Sequence, residues 1–208
     1  MEDVLEVYHR PYDPRFPQVC MDEGSKQLLA HTRKPIEMQA GQAERIDYEY
    51  ERKGVCNVFV AIEPETGASH VQVSKRRTKK DWALFLREVI DVCYPQAEKI
   101  VLVLDNLNTH TPASFYEVFD PSEARRLTEK LEIHYTPKHG SWLNIAEIEL
   151  SILARQCLSD RFPSMEALQA QVENWQRERT QAHVTINWRF TTEDARIKLK
   201  RLYPSIKG

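Results

Sequence analysis

An α/β fold built on a mixed five-stranded sheet is predicted by three features of the sequence. The first is the apolar run Ile100-Val101-Leu102-Val103-Leu104, continuous enough for a central strand buried on both faces. The second is a pair of strand-like segments, Val55 to Ile62 and His70 to Ser74. The turn-forming Glu63-Pro64-Glu65-Thr66-Gly67 separates them, so they make an antiparallel hairpin. The third is the alternation of helical and strand patterns beyond residue 81, which implies a sheet covered on both sides.

Each element has its own signal. Residues 17–23, around Val19-Cys20-Met21, form a first strand, and the hairpin supplies the second and third. After Asp81, the residues Trp82, Phe85, Leu86, Val89, Ile90 and Cys93 recur at helical spacing, giving an amphipathic helix packed on the sheet. Lys99 to Leu104 is the fourth strand. Asp120-Pro121-Ser122-Glu123 then combines an N-cap acid with proline at the first helical position, so a helix runs from there to about Lys130. Leu131, Ile133 and Tyr135 alternate with Glu132 and His134 as a fifth strand stopped by Pro137. Further helices begin near Asn144, after Ser164 and after Thr191. Trp175 and Trp188 read as core. Residues 1–16 are assigned to an N-terminal linker and 17–208 to one domain.

Composition narrows the class. With 208 residues and 41% hydrophobic content the chain can bury a substantial core. No segment approaches the roughly 20 apolar residues of a bilayer span, and the first residues lack the basic and apolar regions of a signal peptide. A cytoplasmic protein without a membrane partner is expected. The dispersed cysteines Cys20, Cys56, Cys93 and Cys157 contain no CxxC pair and read as small buried hydrophobes in a reducing compartment.

The net charge of −2 hides a pattern. Lys75, Arg76, Arg77, Lys79 and Lys80 form a basic patch between a strand and a helix, placed to contact phosphate, although a solvated face is the plainer alternative. A second basic stretch runs from Arg189 through Lys207. Opposed to these are three acids on buried elements. Asp22 closes the first strand, and Asp105 closes the fourth, where open α/β sheets form their sites. On a helical wheel at about 100° per residue, Leu143, Leu150, Ala154 and Leu158 fall within about 60° of Glu147, whereas Glu149 lies about 160° away. Glu147 is thus expected on the buried arc and Glu149 off it. Buried carboxylates need compensation, and three of them delivered to one place would make a metal site.

These residues carry a resemblance. Met21-Asp22-Glu23, Tyr48 to Gly54, Val103-Leu104-Asp105-Asn106, His110, Pro137 to Glu147, Asn187-Trp188-Arg189-Phe190 and Leu202-Tyr203-Pro204 resemble the catalytic domain of bacterial insertion-sequence transposases related to the mariner elements. The similarity extends from about residue 17 to 204. The interval from Asp105 to Glu147 is longer than usual for that family, and Ile145 stands where proline is common.

The resemblance implies a ribonuclease H-like fold with additional C-terminal helices, and a DDE triad of Asp22, Asp105 and Glu147 binding two Mg²⁺ or Mn²⁺ ions. Asp22 would bridge the ions, with Asp105 and Glu147 completing one site each. Hard oxygen ligands suit these ions, and a pair about 4 Å apart can activate water and stabilise a leaving oxygen. Lys138, His139 and Trp142 combine a cation, a donor and a stacking surface for DNA just before the Glu147 helix. His110 and His134 are further candidates for phosphate or the nucleophile, a lone histidine being more often structural.

The activity so implied is strand cleavage at element ends and transfer of the freed 3′-hydroxyl to target DNA, in the bacterial cytoplasm at the nucleoid. A homodimer in a synaptic complex is implied, with end recognition by a separate helix-turn-helix polypeptide or an N-terminal domain, since nothing before Asp22 is long enough for such modules. Two alternatives stay open: a metal-dependent nuclease of the same fold without strand transfer, and a non-catalytic DNA-binding or assembly remnant.

Overall fold

The structure, a computed structural model, describes residues 1–43, 45, 47–138 and 140–203. His139, Pro204 and Lys207 therefore lie outside the described residues. The strands are β1 (Gln18–His31), β2 (Tyr50–Ile62), β3 (Ser69–Ser74), β4 (Ile100–Leu104) and β5 (Leu131–Tyr135), in the spatial order β3-β2-β1-β4-β5. β1, β2 and β3 pair antiparallel, while β1, β4 and β5 run parallel, so the sheet is mixed and β1 is central. All five β4 residues are buried, as its unbroken apolar run requires. Gly67 makes the β2–β3 turn with φ of 74°, and a Cβ there would collide with the Val184 carbonyl oxygen.

Among the described residues seven α-helices surround the sheet: α1 (Glu2–Tyr8), α2 (Lys79–Glu88), α3 (Ala113–Tyr116), α4 (Pro121–Glu129), α5 (Ala146–Gln156), α6 (Met165–Ala182) and α7 (Thr192–Lys198). One sheet face, bearing Val19, Met21, Phe59 and Leu102, packs on Trp82, Phe85 and Leu86 of α2 and on Phe115 and Leu127. The other face is covered in two parts. Val58 and Val60 meet Leu153 of α5 and Leu168, Val172 and Trp175 of α6. Cys20, Val101 and Val103 meet Leu143, Ile145, Val4 and Leu5. Capping explains the sharp starts: Thr78 and Thr191 form capping boxes, and the Asp120 carboxylate accepts from the Ser122 and Glu123 amides.

Several elements differ from the sequence expectation for identifiable reasons. β1 continues to His31 because it pairs with β2 from Cys20 onward; Ser25, Lys26 and Gln27 supply no apolar run to announce it. Within the stretch read as a linker, α1 buries Val4, Leu5 and Val7 completely. Cys93 is exposed, unlike the buried Cys20, Cys56 and Cys157. The helix after α2 widens into a π turn over Val89–Cys93, which rotates Cys93 off the face carrying Leu86 and Val89. Among the described residues no helix is long and apolar enough to cross a membrane.

Candidate active site

The parallel ladder between β1 and β4 sets the site. Gln18 pairs with Val101, Val19 with Leu102 and Cys20 with Val103, and the same register carried two residues further sets Asp22 beside Asp105. Neighbouring strands lie about 4.8 Å apart, so Asp105, just beyond β4, lies beside Asp22. Asp22 is inside β1 and not at the strand end expected from the sequence, because pairing with β2 carries β1 on to His31. Strand alternation gives Asp22 the face of Cys20, the face covered by Leu143, Ile145 and Ala146 at the start of α5. Two hydrogen bonds pin that start. The Asn144 side-chain amide donates to the Met21 carbonyl (2.8 Å), and the Tyr8 hydroxyl donates to the Leu143 carbonyl (2.7 Å). Glu147, in the first turn of α5, is thereby held near Asp22 and is partly buried.

The electrostatics register this gathering. Burial, followed by the charges of Glu23, Asp105 and Glu147, pushes the Asp22 carboxyl up to about 7, against the stabilising hydrogen bond it accepts from the Glu23 amide. Glu149, expected off the buried arc, is instead fully buried, because α5 is packed on the sheet on one side and on α6 on the other. It points away from Asp22's neighbours into an ion pair with Arg179 (Nη2 to Oε2, 2.6 Å), whose guanidinium lies over the Trp175 ring.

On the opposite face of β1 a second arrangement meets the first. His110 is 1% exposed and stacks on Trp82 with ring centroids 5.7 Å apart. Its Nδ1 lies 2.5 Å from Asp105 Oδ1, and its Nε2 lies 3.0 Å from Glu23 Oε2. The second contact is close but bent away from hydrogen-bond geometry, so it acts as an ion pair. Burial lowers the imidazole's proton affinity, yet Asp105 and Glu23 outweigh it and raise the pKa to about 9. His134 is elsewhere, tying β5 to α1 through Asp3 and Glu132.

The basic patch follows β3. Ser74 pairs with Asn57 and Asn57 with Ser25, so the patch begins two strands, or about 10 Å, across the sheet from Ser25, which lies three residues along β1 from Asp22. Lys75, Arg76, Arg77 and Lys80 are exposed, whereas Lys79 is half-buried and paired with Glu117 at 2.5 Å. Lys138 lines a pocket with Asp105, Asn106, Thr136 and Ser141. Trp142 is 41% exposed and meets Phe190 edge-on.

Residues 17–169 match the family described as DDE superfamily endonuclease, which is well over half of the chain. The chain belongs to that family. Solved structures of similar fold belong to Mos1. A Mos1 mariner paired end complex with Mn is 16% identical with a TM-score of 0.58, over 88% of this chain and 55% of the Mos1 chain. A Mos1 strand transfer complex gives 16%, 0.56, 85% and 51%, and a Mos1 transposase paired-end complex with the left transposon end gives 15%, 0.57, 88% and 56%. At these identities the likeness shows the fold, a ribonuclease H-like one, and this chain spans about half the length of the Mos1 chains. No curated protein matches the sequence.

In this DDE superfamily endonuclease the donor chemistry around Asp22 fits a hard divalent cation: carboxylate oxygens, with Asp22's proton affinity raised by burial first and by the neighbouring acids second. As the side chains stand, no three His, Cys, Asp or Glu among the described residues are arranged to hold a metal ion. The acids are therefore within Coulomb range of one another but not in coordinating positions. Glu23 escaped the sequence reading as a site residue. Its signal was present in the alternation Val19, Met21, Glu23, which directs it to the α2 face where His110 lies.

Proposed function

We propose that this chain is the catalytic domain of a DNA transposase, of the bacterial insertion-sequence type related to mariner elements. In this reading it cleaves strands at element ends and joins the freed 3′-hydroxyl to target DNA, using Asp22, Asp105 and Glu147. The observation that carries the proposal is the β1–β4 register, which sets Asp22 beside Asp105 under the helix bearing Glu147. The raised Asp22 pKa supports it, because a largely buried carboxylate with Glu23, Asp105 and Glu147 close by is a group whose ionised form a bound cation would favour.

Asp22, Asp105 and Glu147 would hold Mg²⁺ or Mn²⁺, and the chemistry brought by such ions is Lewis acidity toward the attacking and leaving oxygens. The protein's own share is orientation and exclusion of water. The Glu23 amide fixes Asp22 Oδ1 at 2.8 Å, and His110 fixes Asp105 Oδ1. Lys138 and Ser141, facing Asp105 across one pocket, would bind the scissile strand's phosphates, with His139 beside Lys138 and Trp142 offering a base-stacking face. Lys75, Arg76, Arg77, Lys79 and Lys80 would guide the flanking backbone. The Mos1 complexes with transposon ends support DNA as partner, and a homodimer with end recognition from another polypeptide or domain belongs to the same reading.

A plasmid-joining assay tests the proposal. With Mn²⁺ and a short duplex bearing a free 3′-hydroxyl, the chain should produce covalent duplex–plasmid products, and Asp22→Asn, Asp105→Asn and Glu147→Gln should each abolish them. Nicking without joining would replace transposition by simple nuclease activity. Joining that survives any of the three substitutions would remove that acid from the triad.

A further inference from the structure

We infer that His110 is a positioning residue for Asp105 and that Glu23, from the opposite face of β1, holds His110 in that role. The inference rests on the reading of Asp105 as a reacting-site carboxylate and adds two residues which that reading leaves without a task.

Asp105 needs such a partner. It stands one residue beyond β4, on the segment leading into Asn106 to Thr109, where no ladder hydrogen bond restrains it. Its side chain is a quarter exposed, so an unrestrained carboxylate would be free to rotate. His110 removes that freedom at one oxygen, with Nδ1 2.5 Å from Oδ1, and leaves Oδ2 for the site.

The histidine is itself immobile. Its ring is stacked on Trp82, its amide donates to the Leu107 carbonyl (3.0 Å), and its carbonyl accepts from the Tyr135 hydroxyl (2.8 Å). Glu23 completes the arrangement. Its side chain is 2% exposed, and among the described residues Oε2 has no hydrogen-bond partner; its near neighbour is His110 Nε2. A carboxylate only accepts, so the ring donates to Asp105 from Nδ1, while Glu23 closes off the far edge of the ring at Nε2. The pair thus gives Asp105 a directed donor on a ring that cannot turn.

Two double variants separate positioning from packing. Glu23→Gln/His110→Asn retains an amide donor where Nδ1 stood. Glu23→Gln/His110→Leu removes the donor and preserves more of the ring's volume. Mn²⁺ binding to the full chain, followed by titration calorimetry, should stay within about threefold of wild type in the first and weaken about 10- to 100-fold in the second, the usual effect of losing a partner behind a ligand. A packing role predicts the reverse order, and equal affinities in the two variants would overturn the inference. If either variant does not fold, proton NMR of the wild-type chain decides: the Nδ1–H proton of His110 should be visible, and a ring carrying its proton at Nε2 alone refutes the inference. Asp22→Asn is the control for the underlying reading. If it leaves Mn²⁺ affinity unchanged, the carboxylate site falls and this inference with it. If it abolishes binding while the two double variants match wild type, only the inference falls.

Discussion

Replacing Asp22 by asparagine should stabilise the metal-free protein while destroying its site. Ionising Asp22 in the fold is disfavoured, since its pKa rises from 3.8 to about 7. That difference corresponds to about 4 kcal/mol between the charged and neutral forms. Because the folded pKa is above the unfolded one, the favourable contribution is complete below pH 3.8 and is lost as pH climbs through 7. At pH 8 the wild type therefore carries the whole penalty, and at pH 5 under half of it. Asparagine avoids the charge but still buries an amide, so a net gain of about 2 kcal/mol at pH 8 is expected. For a chain of this size that raises Tm by roughly 4 to 8 °C. Thermal unfolding in EDTA at pH 5 and pH 8 measures it. The order should invert with Mn²⁺, which stabilises only the protein able to bind it. A variant no more stable than wild type at pH 8, or one stabilised equally at both pH values, would show that Asp22 is not under electrostatic strain.

Arg179→Met should cost about 3 to 5 kcal/mol by stranding the fully buried Glu149, and Glu149→Leu/Arg179→Met should recover most of it in urea titrations. A single variant within 1 kcal/mol of wild type would contradict the burial (roughly the scale of an exposed pair). Alanine at Lys75, Arg76, Arg77, Lys79 and Lys80 should flatten the dependence of DNA affinity on salt. The logarithmic slope should fall by up to about 3.6 if the four cations other than the Glu117-paired Lys79 each meet a phosphate, as read by fluorescence anisotropy. Asp120→Ala should cost about 1 kcal/mol through loss of the α4 cap and leave Mn²⁺ binding unchanged, a null result on stability refuting the cap.

The parts of the fold legible in the sequence were those with local causes. The Ile100–Leu104 run announced β4, the Glu63–Gly67 turn announced the hairpin, and Asp120-Pro121 announced α4. The second half of β1 and the burial of Glu149 had no local cause: the first depends on β2, the second on α6. Asp22 and Asp105 stood out as candidates because each ends an apolar run, and Glu147 because of a helical arc that left the fully buried Glu149 on the wrong side. The bridge from Glu23 through His110 to Asp105 was not, since it joins segments 87 positions apart (110 − 23 = 87) that meet only once β1 and β4 lie side by side.

The same dependence on distant partners governs Glu147. Its helix is fixed at its start by Asn144 to the Met21 carbonyl, beside it by Tyr8 to the Leu143 carbonyl, and behind it by Glu149 to Arg179. These anchors come from β1, α1 and α6, elements spread from one end of the sequence nearly to the other. Each alone leaves α5 free to pivot about the anchored point, whereas three on different sides leave it one orientation. Asp22 and Asp105, by contrast, are placed by one ladder between adjacent strands. Two of the candidate acids thus follow from sheet pairing alone, and the third takes its place only when the helices on that face of the sheet have closed around it.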